Sequence, residues 1–172
     1  MIEFVTGQRI HSVVSTMAFP HSSQTPEEPT EDAAAITFIT DAGVSGSLIV
    51  SQISPGRKNR LWFEIDGAHE SLVFDQEKPE LLWVGSREHI LQVPRGTSEM
   101  APDALALSCL PAGHPQGYQD CFNAFIKDVH RATRGGDSSS MPDFRDGLRA
   151  TDITSAIISS NKTRQWVEVR QR

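Results

Sequence analysis

Short β-type segments separated by tight turns follow one another from residue 33 to residue 93, and this succession constrains the fold most. The turns contain sequences such as Asp41-Ala42-Gly43 and Asp66-Gly67, which are typical of antiparallel strands joined by short connections. We predict strands at 10–19, 33–40, 44–53, 60–65, 70–74, 81–84 and 89–93, and a last short strand at 165–169.

The apolar period changes from two to about 3.6 after the strands, which predicts helices. One helix is expected from Tyr118 to Arg134, with an apolar stripe and Gly135 at its end. A second is expected from Phe144 to Ser159, beginning after Pro142-Asp143. We expect the buried face of this second helix to comprise Phe144, Leu148, Ile153, Ala156 and Ile157.

Two connecting regions complete this organisation. Four prolines predict a loop between the last strand of the series and the first long helix: Pro94, Pro102, Pro111 and Pro115. Near the start, residues 2–5 precede Gly7 like the end of a helix before its glycine cap.

Strands followed by helices predict the α+β class, here an open, mostly antiparallel or mixed sheet with helices packed on one face. A length of 172 residues corresponds to about one domain. We therefore expect one domain over 1–172, with a mobile loop at 20–32 that is rich in proline and acidic residues.

Large apolar side chains alternate onto both faces of the strands near residues 60–65 and 81–84. Trp62 and Trp83 fall on the face opposite Phe63 and Leu82. Helices can cover only one face of a sheet, so the second face is an exposed apolar patch unless another subunit covers it. We expect a homo-oligomer, in the simplest case a dimer, formed through this face.

Composition excludes several classes of function. With 16 Lys and Arg against 22 Asp and Glu, the net charge of −6 argues against a protein that binds nucleic-acid phosphates. No apolar run approaches the length of about 20 residues that spans a membrane, and the N-terminus does not read as a secretory leader. The two cysteines, Cys109 and Cys121, are expected to be reduced, in a cytoplasmic protein.

Motifs for cofactors and catalysis are missing from the sequence. It contains neither G-x-G-x-x-G nor G-x-x-x-x-G-K-[ST], so no dinucleotide or nucleotide cradle is expected. Its six histidines form no H-E-x-x-H, and we expect no metal site. The sequence Gly43-Val44-Ser45-Gly46-Ser47 precedes a strand and is interpreted as a turn rather than a nucleophile elbow.

One polar segment joins two predicted strands, at Ser51 to Arg60, and contains Gln52, Arg57 and Lys58. This segment has two interpretations. In the functional one it forms a polar wall whose side chains donate hydrogen bonds to a hydroxyl-rich or anionic ligand. In the structural one it is only a solvated hairpin turn.

A second segment, residues 110–118, leads into the first long helix. Two prolines and two glycines restrict its backbone, and its His114 and Tyr118 side chains both donate and accept hydrogen bonds. It is either a ligand-binding loop or a plain helix entry.

The chain resembles the C-terminal domain of the Gfo/Idh/MocA oxidoreductases, which include glucose–fructose oxidoreductase and inositol dehydrogenase. The resemblance is carried, in the expected order, by the stretches FVTG, SQISPGRKNRLWFEIDG, SLVFDQEKPELLWVG, PAGHPQGYQDCFNAFIKDVH, PDFRDGLRATDITSAIISS and WVEV. Together they cover nearly the whole chain.

The resemblance implies a two-domain enzyme in which an N-terminal Rossmann domain holds NAD or NADP, and this sequence contains no counterpart of that domain. The C-terminal domain is then an open sheet that helps bind a sugar or polyol and mediates oligomerisation. The catalytic Asp/His pair of the family falls just before Met1. The letters Glu77-Lys78-Pro79 match an E-x-P turn of the C-terminal domain, so no catalytic role is carried onto Lys78.

These observations predict a domain that supplies substrate contacts and an oligomer interface to an oxidoreductase and is inactive alone. We expect one substrate cleft, and we assign no catalytic, cofactor or metal residue; the cleft is lined by Gln52, Arg57, Lys58, His114 and Tyr118. The alternative is a stand-alone binding or interaction module without redox activity. The upstream reading frame distinguishes the two, because only the oxidoreductase continues into a strand, a G-x-G-x-x-G turn and a helix.

Overall fold

The computed structural model describes residues 1–20, 30–57, 59–96, 100–111, 113–138 and 141–171. These residues form two compact units, one comprising Met1–Gly56 with Pro142–Arg172 and the other Arg57–Met141. Most of the predicted mobile loop, from 21 to 29, lies outside the described residues.

The described residues form strands and helices in the predicted order, which confirms the α+β class. In chain order these are α1 (Ile2–Thr6), β1 (Ile10–Ala18), β2 (Ala33–Thr40), β3 (Ser45–Ser51), β4 (Trp62–Asp66), β5 (Glu70–Asp75), β6 (Leu81–Ser86), β7 (Ile90–Pro94), α2 (Pro102–Ala106), α3 (Tyr118–Thr133), α4 (Phe144–Thr163) and β8 (Val167–Glu168). The prediction named one open sheet, whereas the described strands form two sheets, one in each unit.

A short helix, α2, lies within the region that we predicted to be a loop. Its first residue is Pro102, where the missing N–H is harmless because the first N–H groups of a helix have no intrahelical partner. Helix α4 continues past its predicted end to Thr163 and stops at Arg164, whose φ of 58° is left-handed. One of the four prolines that predicted a loop, Pro102, therefore stands at the start of a helix.

The sheet of the first unit has the strand order β3-β2-β1-β8, with antiparallel neighbours. Its two central strands, β1 and β2, supply most of the buried apolar core. The core side chains of the described residues are Ile10, Val13, Ile36, Phe38, Ala156 and Val169. The alternation of apolar residues along β1 and β2 accounts for this core because every second side chain faces the same side.

Helix α4 packs on this sheet through a face that combines polar and apolar side chains. Three of the predicted residues, Ile153, Ala156 and Ile157, pack in or against the core. Its buried residues, spaced three or four apart, are Arg149, Asp152, Ala156 and Ser160. Our prediction that Phe144 and Leu148 belong to the buried face is wrong, since they are 99% and 43% exposed. Among the described residues, the hydrogen bonds between α4 and β1 involve Arg149 and residues after it.

Side chains near the end of α4 replace a neighbouring strand along one edge of β1. Strand β8 on that edge is only two residues long. Beyond it, the Ser15 N–H donates to Ser160 Oγ at 3.0 Å and the Met17 N–H donates to Asn161 Oδ1 at 2.9 Å. The backbone donors of β1 are thus satisfied by a helix where the sheet ends.

An ion pair of low exposure ties α1 to α4. Arg149 donates to Glu3, at 2.7 Å for the shortest pair of atoms, and to the carbonyls of Ile10 and Arg170. Burial by itself raises the pKa of Glu3, but hydrogen bonds from Arg149 and the Ile10 N–H, with nearby guanidinium charges, outweigh it and hold this pKa below its usual range. As predicted, Gly7 ends α1, in a left-handed conformation with φ of 68°.

A phenylalanine ring occupies the space above a glycine in the first sheet. Phe38 of β2 faces Gly46 of β3 in the antiparallel register, and a Cβ at position 46 would overlap the ring. Phe38 is only 8% exposed, so the ring has little room to move away. Glycine is therefore required at position 46 by packing.

The sheet of the second unit has the order β4-β5-β6-β7, again with antiparallel neighbours. Its register places Trp62 and Trp83 on one face, as predicted, because Trp62 pairs with Asp75 and Trp83 pairs with Val73. The opposite face is continuously apolar and includes Phe63, Leu72, Phe74, Leu82 and Val84. Both faces therefore carry large apolar groups.

None of the described residues between 57 and 141 is fully buried. Trp62 on one face is 44% exposed and Leu91 on the other is 45% exposed. A small sheet gains stability by burying at least one apolar face, and exposed apolar patches mark sites of association. The second unit thus has the character of a surface that packs against another body.

Candidate substrate site

Internal hydrogen bonds restrain the described residues of the segment between α2 and α3, which are 107–111 and 113–117. Gly113 has a left-handed φ of 84°, which a side chain at this position would disfavour. The side chain of Gln116 spans the segment, donating to the Leu107 carbonyl at 2.8 Å and accepting from the Cys109 N–H at 3.0 Å. We call residues 107–111 and 113–117 the entry loop.

Asp120 fixes the junction between the entry loop and α3. Its carboxylate accepts a hydrogen bond from the Gly117 N–H at 2.9 Å, and an acidic side chain in the first turn also suits the positive end of the helix dipole. Tyr118, the first residue of α3, therefore has a defined position directly after the entry loop.

His114 and Tyr118 present their side chains to solvent. Tyr118 is 73% exposed and its ring centroid lies 4.9 Å from that of Phe122. His114 is exposed as well. Neither the imidazole nor the phenol hydroxyl hydrogen-bonds to a described residue, so both polar groups are available to a ligand.

Glu80, at the end of the turn between β5 and β6, anchors the entry loop. Its carboxylate accepts from the Gln116 N–H at 2.8 Å and pairs with the Arg95 guanidinium at 2.9 Å. The hydrogen bond from Arg95 first, and that from the Gln116 N–H second, hold the pKa of Glu80 below its usual range against the opposing effect of burial. The anchor is therefore ionised near neutral pH.

Arg57 makes an ion pair with Glu77, at the other end of the same turn, at 3.2 Å. Both side chains are about half exposed (51% each), and such pairs contribute little to stability. Arg57 and the entry loop are thus attached to one turn, Arg57 through Glu77 and the loop through Glu80.

Two further residues of the predicted cleft, Gln52 and Lys58, stay predictions. Gln52 lies in the first unit, where it is exposed and its N–H donates to the Asp32 carbonyl at 2.8 Å. Lys58 lies outside the described residues. The single cleft lined by all five side chains stays a prediction.

Three residues that hold the entry loop were missed by the sequence analysis: Glu80, Arg95 and Gln116. Gln116 lay inside the segment that we singled out, and its side chain is one of the few there with both a donor and an acceptor. Glu80 and Arg95 carry no local signal, because each has its partners 13 to 36 residues away along the chain.

Other candidate chemistry is limited within the described residues. No group of three or more His, Cys, Asp or Glu there has the arrangement to hold a metal ion, and Cys109 and Cys121 are free and exposed. The described helices include none that is long and apolar enough to cross a membrane.

Two open depressions of about 340 and 290 Å³ lie on the face of the second sheet that carries Trp83, which lines both. The indole of Trp83 covers Gly85, where a Cβ would overlap the ring. Neither depression is lined by Arg57, His114 or Tyr118, so they belong to the sheet surface and not to the candidate substrate site.

Comparison with known proteins identifies the family. Residues 1–169 match the model of the C-terminal alpha/beta domain of the GFO/IDH/MocA oxidoreductase family. The chain is 31% identical over 154 residues to levoglucosan dehydrogenase of Pseudarthrobacter phenanthrenivorans, a match that covers 85% of this chain and 38% of that enzyme.

Solved structures show the same fold. An oxidoreductase from Sinorhizobium meliloti matches with a TM-score of 0.87 and 24% identity, over 96% of this chain and 48% of that one. An inositol dehydrogenase homolog from Azotobacter vinelandii, solved with NADH and myo-inositol, matches with a TM-score of 0.78 and 20% identity, over 95% of this chain and 45% of that one. The chain spans less than half the length of each of these relatives. The family match over almost the whole chain confirms the resemblance seen in the sequence motifs, and the protein belongs to the GFO/IDH/MocA oxidoreductases through their C-terminal domain.

Proposed function

We propose that this chain is the substrate-contacting domain of an NAD-dependent oxidoreductase that acts on an alcohol group of a sugar or polyol. The observation that carries this proposal is the entry loop, a constrained backbone that presents exposed His114 and Tyr118 side chains. Imidazole and phenol groups both donate and accept hydrogen bonds, which suits a ligand with several neighbouring hydroxyls. The names of the relatives, levoglucosan dehydrogenase and an inositol dehydrogenase homolog, support this substrate class.

The described residues do not fit a dinucleotide. None of their strands runs through a glycine-rich turn into a helix, the arrangement that holds a pyrophosphate. We therefore assign the nicotinamide cofactor to a separate domain and derive no step of hydride transfer from this chain. The apolar stripe of α3 is where we expect that domain to pack, because Phe122, Phe125 and Ile126 are 45–51% exposed and follow directly on Tyr118.

The substrate cleft in this proposal includes Gln52, Arg57 and Lys58 beside the entry loop. The attachment of Arg57 and the entry loop to the same turn supports part of this arrangement. The Arg57 guanidinium and the Lys58 ammonium are groups that donate hydrogen bonds to hydroxyl oxygens and accept none.

The test uses the intact oxidoreductase that contains this domain. His114→Ala and Tyr118→Phe should each lower kcat/KM for the sugar or polyol by about 1–3 kcal/mol, roughly 5- to 150-fold, because a polar partner of the substrate is lost. The Kd for NADH should stay the same. His130→Ala, at an exposed histidine in the last turn of α3, is the matched control. Unchanged kcat/KM in both site variants would contradict the proposed substrate contacts.

We also propose that the chain forms a homo-oligomer through the sheet face that carries Trp62 and Trp83. Such an interface should bury about 1,200 Å² or more in total. Trp62→Ala should shift sedimentation towards the monomer, whereas Trp166→Ala, at a tryptophan of similar exposure in the first unit (48% against 44%), should not. A monomer at tens of micromolar for the unmodified chain would refute this interface.

A further inference from the structure

Arg95 holds the entry loop at three points. This residue follows β7, and its side chain is only 11% exposed. The guanidinium donates to Ser108 Oγ, to the Leu110 carbonyl at 2.9 Å and to the His114 carbonyl at 2.7 Å. It also makes the ion pair with Glu80 described above. The Arg95 guanidinium therefore connects the turn between β5 and β6 to three positions of the entry loop.

The chemistry of this arrangement is specific to arginine. Its guanidinium carries five N–H groups in a rigid planar fork, whereas a lysine ammonium is a compact group on a flexible stem. Carbonyl, hydroxyl and carboxylate acceptors lie around the Arg95 guanidinium. A lysine at position 95 would keep the charge but could not reach all of these acceptors at once.

Two hydrogen bonds fix the backbone of His114, while its side chain is exposed to solvent. The His114 N–H donates to the Pro111 carbonyl at 3.1 Å, and its carbonyl accepts from Arg95. Glu80 fixes the neighbouring part of the loop through the Gln116 N–H. A loop outside any helix or strand loses conformational freedom when it orders, and groups held in place beforehand bind with a smaller loss.

We propose that Arg95 and Glu80 are positioning residues that order the entry loop so that His114 and Tyr118 meet a polyhydroxylated substrate. This inference rests on the proposed function for the identity of the ligand. The ordering of the loop depends only on its hydrogen bonds to Arg95 and Glu80. Neither residue touches the substrate, and their effect is exerted through the loop backbone.

Arg149 offers a matched control in the first unit. It is also largely buried, and it also bonds to a glutamate, Glu3, and to two main-chain carbonyls. Replacing either arginine removes bonds to one carboxylate and two main-chain carbonyls, and Arg95 loses the Ser108 hydroxyl in addition. Only the Arg95 clamp involves the entry loop, so a difference between the variants separates loop order from general destabilisation.

The first experiment measures amide hydrogen exchange in the 172-residue chain. In Arg95→Lys, the amides of Cys109, His114 and Gln116 should exchange at least tenfold faster, while those of β1 are unchanged. Arg149→Lys should leave the entry loop protected. Glu80→Gln, which keeps the shape of the side chain and removes its charge, should give a smaller acceleration at the same amides and serves if Arg95→Lys does not fold. Unchanged loop exchange in Arg95→Lys and Glu80→Gln, or equal loosening in Arg149→Lys, would overturn the inference.

The second experiment measures kinetics in the intact oxidoreductase. Arg95→Lys should raise KM for the sugar or polyol at least fivefold, with a smaller change in kcat and an unchanged Kd for NADH. If His114→Ala lowers kcat/KM but Arg95→Lys does not, the positioning role is wrong and the proposed function stands. If Arg95→Lys loosens the loop and none of the three variants at positions 95, 114 and 118 affects turnover, the substrate contacts themselves are wrong.

Discussion

The hydroxyl of Ser160 connects β1 to the end of α4. Replacement of Ser160 by alanine tests how much this hydroxyl stabilises the edge of the first sheet. Its hydroxyl accepts from the Ser15 N–H at 3.0 Å and donates to the Gln165 carbonyl at 2.7 Å. Ser160 is 0% exposed and Ser15 is 5% exposed, so water cannot replace the lost partner of the Ser15 N–H.

The magnitude follows from what Ser160→Ala leaves behind. A buried N–H without a partner costs about 1–3 kcal/mol. Gln165 is exposed, so its carbonyl can bond to water and adds little. Alanine is the better helix former, by about 0.5 kcal/mol relative to serine, and this gain opposes the loss. The net expectation is a free energy of unfolding lower by about 0.5–2.5 kcal/mol.

Urea unfolding followed by circular dichroism measures this change. With a slope of about 2 kcal/mol per molar urea, the midpoint should fall by about 0.2–1.2 M. Ser155→Ala, at an exposed position of the same helix, has the same propensity gain and no lost bond, so its midpoint should rise slightly. The Ser15 amide should also exchange faster in Ser160→Ala. A midpoint for Ser160→Ala equal to or above that of Ser155→Ala would refute the reasoning.

Three further predictions concern acid stability, packing and cofactor binding. The pKa of Glu3 is lower in the folded chain than its ordinary value of 4.5. Its contribution to stability is therefore complete above that pH and is lost as the pH falls towards the lowered pKa. In Glu3→Gln, the free energy of unfolding should consequently depend less on pH in the acid range. Gly46→Ala should cost about 1–3 kcal/mol because Phe38 must move, whereas Gly147→Ala, with open space and a helical backbone, should stabilise by up to about 1 kcal/mol; equal thermal midpoints would argue against the packing account. The chain by itself should not bind NADH in a nicotinamide fluorescence titration, and micromolar affinity would contradict the assignment of the cofactor to another domain.

Local periodicity and turn chemistry were sufficient to predict most elements. The strands from residue 33 to residue 94 could be predicted because the alternation of apolar and polar side chains along a strand, and the turn sequences between strands, are properties of consecutive residues. The start of α4 was found for the same reason, since Asp143 caps it, accepting from the N–H groups of Arg145 and Asp146. The order of motifs was likewise sufficient to identify the family.

The burial of polar groups was decided by the tertiary structure. The buried stripe of α4 contains Arg149, Asp152 and Ser160, which a search for apolar residues passes over. Arg149 and Ser160 are buried with hydrogen-bond partners from distant segments, such as the Ile10 carbonyl for Arg149 and the Ser15 N–H for Ser160. A short sequence window contains no information about such partners.

The candidate site shows the same division. His114 and Tyr118 were singled out from the sequence because a run of proline and glycine beside polar side chains is visible locally. Arg95 and Glu80, which hold that loop, were not, because their pairing joins the end of one strand to the turn before another. Sequence by itself determined most of the strands, the turns and the family, since these follow from the types and order of residues along the chain. Only the tertiary structure decided which strands share a sheet and which charges meet, because these depend on contacts between residues that are far apart in the chain.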